Sequence, residues 1–126
     1  MWAEWAAPGR VGPAAGVCYA GRMQRIAYTV RAECPDEATA RDYIAWLEDG
    51  HVDQVIAGGA HSAMIVRLDP DAPGVPPRVE TRYVFSTREV FDRYVREFAP
   101  ALREEGLRRF PASRGVRFER TVGVIL

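Results

Sequence analysis

Apolar residues recur at two spacings along this chain, and the two alternate. Over 24–33 every second position is apolar: Ile26, Tyr28 and Val30 fall on one side, Arg25, Ala27, Thr29 and Arg31 on the other. That is the period of a half-buried strand. Helical spacing follows, with Ala40, Tyr43, Ile44 and Leu47 on one face. Pro35, with its preset φ, and the acids Asp36 and Glu37 suit the start of that helix. Gly50 interrupts the stripe. A short helical stretch over 51–57 resumes it through Val52, Val55 and Ile56, and Gly58-Gly59 supplies a C-terminal stop.

A second strand is expected over 60–68. The loop 69–77 holds four prolines, which exclude ladder pairing there. Strand period returns over 78–85, with Val79, Thr81, Tyr83 and Phe85 set against Glu80, Arg82 and Val84. Ser86-Thr87-Arg88-Glu89 reads as a capping box in which Ser86 and Glu89 each meet a free backbone N–H. Val90, Phe91, Tyr94, Val95 and Phe98 then repeat at helical spacing. Pro100 opens a further helical segment carrying Leu102, Leu107 and Phe110, and Pro111 ends it. The last strand is expected over 114–126.

The order βαββαβ predicts an α+β, ferredoxin-like domain: one four-stranded antiparallel sheet with both helical layers on one face. The other face would show Ala27, Thr29, Glu80, Arg82 and Val84, a mixture too apolar for water and too charged for a private core. Pairing two such sheets as a homodimer hides it, and a stable interface of this kind covers about 800 Å² per partner. Residues 23–126 form this domain. Residues 1–22 are rich in Ala, Gly and Pro, with Trp2 and Trp5 near the front, and read either as a start codon placed too early or as an irregular arm whose tryptophans pack on the domain or a partner.

Composition narrows the function only by exclusion. The 126 residues carry no net charge, so nothing draws the chain as a whole toward nucleic acid or anionic lipid. Residues 31–80 hold ten acids and four arginines, a balance of −6, and residues 87–126 nine arginines and six acids, a balance of +3. All seventeen basic residues are arginine. No apolar run approaches the ~20 residues a membrane span needs. Cys18 and Cys34 are too few for a disulfide framework or a metal cage, which suggests a reducing, cytoplasmic setting. Cys34, just before Pro35 at a helix start, is a site where the helix dipole could lower a thiol pKa.

One set of residues carries a resemblance: Trp46-Leu47, His51-Val52, Val55-Ile56-Ala57-Gly58-Gly59, Arg82-Tyr83, Tyr94, Ala99-Pro100-Ala101-Leu102-Arg103, Phe110 and Arg120-Thr121. Over nearly all of the folded part the chain resembles the bacterial proteins grouped as domain-of-unknown-function family 4286. Asp53 stands where many members carry proline, and residues 1–22 have no counterpart. The resemblance implies a dimeric α/β barrel with ligands seated between the helices and the helix-facing side of the sheet. It implies no reaction.

The candidate chemistry centres on His51. It follows the glycine break, so its ring is released from the helix stripe, and imidazole titrates near neutral pH. It is either a general base or a structural histidine bonded to backbone. Trp46, Tyr43, Tyr83 and Tyr94 either line an aromatic, substrate-binding cavity or simply fill the core. Arg82, among apolar neighbours, needs a carboxylate, with Glu80 and Glu119 as choices and a salt bridge across a dimer as the expected form. Arg103 sits early in a helix, where a cation is unfavourable, so a partner is expected: Asp53, a substrate carboxylate or a backbone carbonyl. His61 reads as exposed. His51 and His61 lack ligand spacing, so no metal or other cofactor is expected. No phosphate loop, nucleophile elbow or basic–aromatic stripe occurs. Two functions remain: binding of a small aromatic or apolar molecule between helices and sheet, or a cofactor-free monooxygenase, cyclase or isomerase using His51 as base.

Overall fold

The computed structural model describes residues 24–126. The expectations for 1–22 and for Cys18 lie outside the described residues. Four strands, β1 (Ile26–Glu33), β2 (Ser62–Arg67), β3 (Arg78–Phe85) and β4 (Arg117–Val124), pair antiparallel in the order β2-β3-β1-β4. Between β1 and β2 run α1 (Glu37–Trp46), a kinked turn (Leu47–His51) in which Asp49 and Gly50 leave helical geometry, and α2 (Val52–Ala57). Between β3 and β4 run α3 (Arg88–Glu97) and α4 (Ala99–Arg109). This is the ferredoxin-like arrangement expected from the spacing. The sheet of one chain is open, with β2 and β4 as its edges, so a barrel can describe only two chains together.

Two helix starts differ from expectation. Asp36 is the cap of α1, its Oδ1 accepting from the Thr39 N–H at 2.8 Å, and Pro35 stands outside the helix. Thr87, not Ser86, caps α3: it takes the extended cap conformation and its hydroxyl accepts from the Val90 N–H at 3.1 Å. Ser86 is still chain leaving β3, and with Thr87 as the cap Val90 takes the third helical position, so the reciprocal carboxylate of a capping box is absent there. The outer strands are also shorter than the alternation suggests. A 3₁₀ turn, Ala112–Arg114, and left-handed Gly115 occupy the chain ahead of β4.

The register stacks the core in layers. Ile26 faces Phe85 and Val124, Tyr28 faces Tyr83 and Val122, Val30 faces Thr81 and Arg120, and Ala32 faces Val79 and Phe118. Two apolar clusters result. Ile26, Tyr28, Tyr83 and Phe85 pack on Phe91 and Tyr94 of α3. Ala32 and Val79 pack with Tyr43, Leu47 and Phe110. Each fully buried aliphatic or aromatic side chain contributes about 1.5–3 kcal/mol.

On the opposite face Glu80 is buried beneath two arginines. Its Oε2 accepts from Arg31 Nε at 3.0 Å and its Oε1 from Arg82 Nε at 2.9 Å. Within the chain Arg82 thus pairs with Glu80, one of the two carboxylates expected for it. Burial alone would raise the Glu80 carboxyl; the hydrogen bonds and charges of Arg82 and Arg31 outweigh it and hold the pKa below the usual value.

The cap positions make a paired prediction. Thr87→Ala should cost about 1 kcal/mol, the usual worth of a helix cap. Ser86→Ala, one residue earlier, should stay within about 0.5 kcal/mol of wild type. Urea midpoints of the two variants, side by side, decide which hydroxyl is the cap.

Candidate functional site

The two core clusters do not close completely where they meet. A cavity of about 40 Å³ lies at the seam, under α4 and over the sheet. By volume it holds about three waters. Tyr28 and Val30 of β1, Thr81 and Tyr83 of β3, and Phe118 and Arg120 of β4 form its floor. Tyr43, Trp46, Leu47 and His51 supply one wall, and Tyr94 of α3 with Leu102, Arg103, Gly106 and Leu107 of α4 supply the others. His51, Trp46, Tyr83, Tyr94 and Arg103, singled out from sequence, thus face one space. Trp46 also borders a wider surface groove of about 340 Å³ between α1 and the end of α4, where Asp42 and Arg114 pair at 3.3 Å.

The break in the first helix builds the wall. Gly50 sits at φ 122°, a conformation that glycine takes readily and other residues rarely. The Val52 N–H bonds to the Leu47 carbonyl, five residues back rather than four. The wider turn brings Trp46 and His51 onto the same side. Their rings stack with centroids 4.0 Å apart and planes 23° apart. Gly106 on α4 is small for the same reason: a Cβ there would come within 3.3 Å of the Trp46 ring. Tyr43 braces the stack from below, 5.9 Å from Trp46 and edge-on to Phe110 at 5.3 Å.

The His51 ring is largely withdrawn from water, and its Nδ1 finds no hydrogen-bond partner among the described residues. The expected backbone bond of a structural histidine is therefore not made at that atom. Burial, then the positive charge of Arg120, lower its pKa to about 4. Imidazole is neutral here at pH 7. The tyrosines move the other way. Burial raises the phenol of Tyr83, and the neighbouring hydroxyls of Tyr94, Tyr43 and Tyr28 add to it. Burial likewise raises Tyr43 and Tyr94. Tyr28 is raised less freely, because the charge and hydrogen bond of Arg120 and the charge of Arg103 favour its phenolate.

Arg103 is half-buried on α4, and burial followed by the Arg120 charge lowers its pKa. A guanidinium still keeps its proton at neutral pH. Asp53, one of the partners considered for it, is exposed and does not line the cavity. Arg120 was not among the site residues expected from sequence. Its signal was present: Phe118, Arg120 and Val122 alternate, so the arginine occupies an inward position between two apolar ones. Tyr28 and Thr81 were also missed as lining residues, because strand alternation marks them only as core.

Two expectations fall away from the site. Cys34 is fully buried, and burial raises its thiol pKa, which overturns the expected lowering by the helix dipole. His61 is exposed at the start of β2, remote from the cavity lining. Among the described residues no group of three or more His, Cys, Asp or Glu is placed to hold a metal ion, and no helix is long and apolar enough to cross a membrane.

The fold is similar to that of two dimeric ferredoxin-like proteins from an uncultured marine organism. One aligns with a TM-score of 0.67 at 12% identity, covering 82% of this chain and 96% of its own. The other aligns with a TM-score of 0.62 at 9% identity, covering 81% and 94%. An ethyl tert-butyl ether d (ethd) family protein from Bacillus halodurans C-125 aligns with a TM-score of 0.61 at 12% identity, covering 81% and 99%. At such identities the likeness extends to the fold alone. No curated protein matches the chain in sequence. The profile of the domain of unknown function DUF4286 matches residues 25–125, and the chain belongs to that family.

Proposed function

We propose that this protein binds a small, flat, largely apolar molecule in the cavity between helices and sheet, and does so as a homodimer. The observation that carries the reading is the seam between the two core clusters, where a Trp46–His51 stack faces Tyr28, Tyr83 and Tyr94 across unfilled space. The space is bordered by a flat ring stack, three phenols and two guanidinium side chains, so it combines apolar walls with the few polar groups that a ligand site carries. The volume sets a limit. A ligand of three or four heavy atoms fits as the cavity stands. A benzene ring requires the α4 side, where Leu107 is about half exposed, to give way. A cytoplasmic location belongs to the same proposal.

A second reading uses His51 as general base in a cofactor-free monooxygenase, cyclase or isomerase. The unpartnered Nδ1 supports it, because a neutral imidazole in a cavity can accept a proton. Its depressed basicity counts against it: a base with pKa near 4 has little driving force at neutral pH. Among the described residues lining the cavity none is acidic, to orient the ring or stabilise its cation. Binding therefore ranks ahead of catalysis.

The homodimer is proposed through the open face. Ala27, Val66 and Val84 lie there beside Met64, which is 56% exposed. Glu80 compensates part of the charge of Arg31 and Arg82, which lowers the cost of covering them. The two marine ferredoxin-like relatives are dimeric.

Three outcomes are expected. Light scattering should give twice the chain mass, and Val84→Arg, which adds a charge to the open face, should halve it; a wild-type monomer removes the dimer. In a thermal-shift screen of small aromatic acids, phenols and quinones, compounds that stabilise wild type should lose that effect with His51→Ala. Turnover or solvent-deuterium exchange that depends on His51 would instead favour the catalytic reading. Finally, the unfolded chain protonates His51 near pH 6.5 and the folded one near pH 4. The unfolded state binds more protons in between, so stability present above about pH 6.5 is lost as pH falls toward 4. Between pH 7 and 5 wild type should lose roughly 1–2 kcal/mol more than His51→Gln, read from urea midpoints.

A further inference from the structure

We infer that Trp46 gates the cavity: its indole swings into the groove between α1 and the end of α4, joins that groove to the cavity, and lets a ligand pass by that route. The inference rests on the proposed binding function and adds how the site is reached.

Four observations carry it. First, Trp46 is the single residue shared by the described linings of the two spaces, so its indole is the partition between them. Second, the sizes differ in the direction a gate requires. The cavity of about 40 Å³ is too small for a ring, while the groove of about 340 Å³ has room for a displaced indole. Third, the ring is held by aromatic contacts. Its centroid lies 4.0 Å from that of His51, 5.6 Å from Phe110 and 5.9 Å from Tyr43, and among the described residues no hydrogen bond ties its N–H. Tyr43 and Phe110 are buried, whereas Trp46 is only half-buried. Fourth, the backbone beside it is already bent. Trp46 ends α1, and Asp49 and Gly50 just beyond it leave helical geometry. A Cβ at Gly50 would meet nothing within 4 Å, so the bend lies against open space.

These features suit a side chain that moves. Aromatic contacts break without stranding a buried donor or acceptor, which a lost hydrogen bond would do. Trp46 and His51 flank the bend, so a small change there separates the two rings. On the far side the indole edge meets Gly106 of α4, which has no side chain to trap it. Phe110 lines the groove and gives the displaced ring a neighbour, itself held by the Arg114 guanidinium 4.9 Å from its centroid. A ligand then selects the open conformer from those the chain already populates. Leu107, about half exposed on α4, is the competing way in.

The test measures access to the cavity floor with no ligand present. Cys18→Ser leaves Cys34 as the native thiol. Cys34 is fully buried and is not among the described cavity lining, so it reports opening of the core at large. Thr81→Cys adds a thiol on the cavity floor, and Val30→Cys on the neighbouring strand replaces it should that variant fail to fold. Labelling by methyl methanethiosulfonate, read by mass spectrometry, gives both rates in one molecule. Trp46→Ala should raise the rate at the floor, relative to Cys34, by at least about tenfold, and Leu107→Ala by less than about twofold. Ala45 is exposed and lines the groove. Ala45→Phe keeps Trp46 in place but fills the space it turns into, and should slow labelling at the floor at least about threefold without changing Cys34. A floor rate that follows Leu107, rises only in step with Cys34, or ignores Ala45→Phe overturns the gate while the binding function stands. The binding function fails separately, if no compound in the thermal-shift screen stabilises wild type.

Discussion

Side chains five residues apart on an α-helix point about 140° away from each other, since each residue advances the helix by about 100°. Trp46 and His51 are five apart, and their rings stack. That contact exists only because the chain widens to an i→i+5 turn there and Gly50 supplies a positive φ. The rest of the site depends on it. The stack holds the His51 ring over the sheet, gives the cavity a flat wall, and fixes where α4 can approach, with Gly106 set against the Trp46 edge. A regular helix through residues 47–51 would send one of the two rings to another face and let the two core clusters close on each other.

The electrostatics of the cavity follow from what the sheet puts under that wall. Arg120 occupies an inward position on β4, opposite Val30. An arginine at the edge of a core needs a reason to be there, because desolvating a charge is expensive. Its effects on His51, Arg103 and Tyr28 all have the sign expected of a fixed positive charge in poorly screened surroundings. The imidazole is therefore suited to hydrogen bonding in its neutral form, and less to carrying a proton through a reaction.

Much of the scaffold was legible in the sequence. Period-2 runs placed β1 and β3, the latter at its observed limits, and the segments left between helices and turn signals placed β2 and β4 with wider bounds. Gly50 marked the helix break, and Pro100 marked the start of α4. These signals are local: each depends on the backbone preference of one residue or on the burial pattern of one element. The cap of α3 was misplaced by one residue because Ser86 and Thr87 have the same chemistry, and only the path of the chain leaving β3 separates them. The site was legible as a set of names and not as an arrangement. His51, Trp46, Tyr83, Tyr94 and Arg103 could be singled out, yet the stack required knowing how the kink at Asp49 and Gly50 turns α2 against α1. Arg120 was hidden differently. Alternation alone gives Arg120 an inward position between Phe118 and Val122, where a charge makes sense only once the cavity beneath it is seen. Cys34 failed for a third reason. Its place beside a helix start suggested activation, but the side chain is completely buried, and burial raises the thiol pKa.

The two faces of the sheet treat arginine in opposite ways. On the open face, Arg31 and Arg82 flank Glu80, whose carboxylate accepts from both, and neighbouring strands bring all three together through the pairing of β1 with β3. The chain has supplied its own counter-ion there, as a surface destined to be covered would require. On the helix face, Arg103 and Arg120 border a cavity with no acid in its described lining, although glutamates adjoin both in sequence. Neutralising a charge from within suits a face that meets another protein surface. On the helix face Arg120 instead hydrogen-bonds Tyr28, and its charge reaches His51 and Arg103.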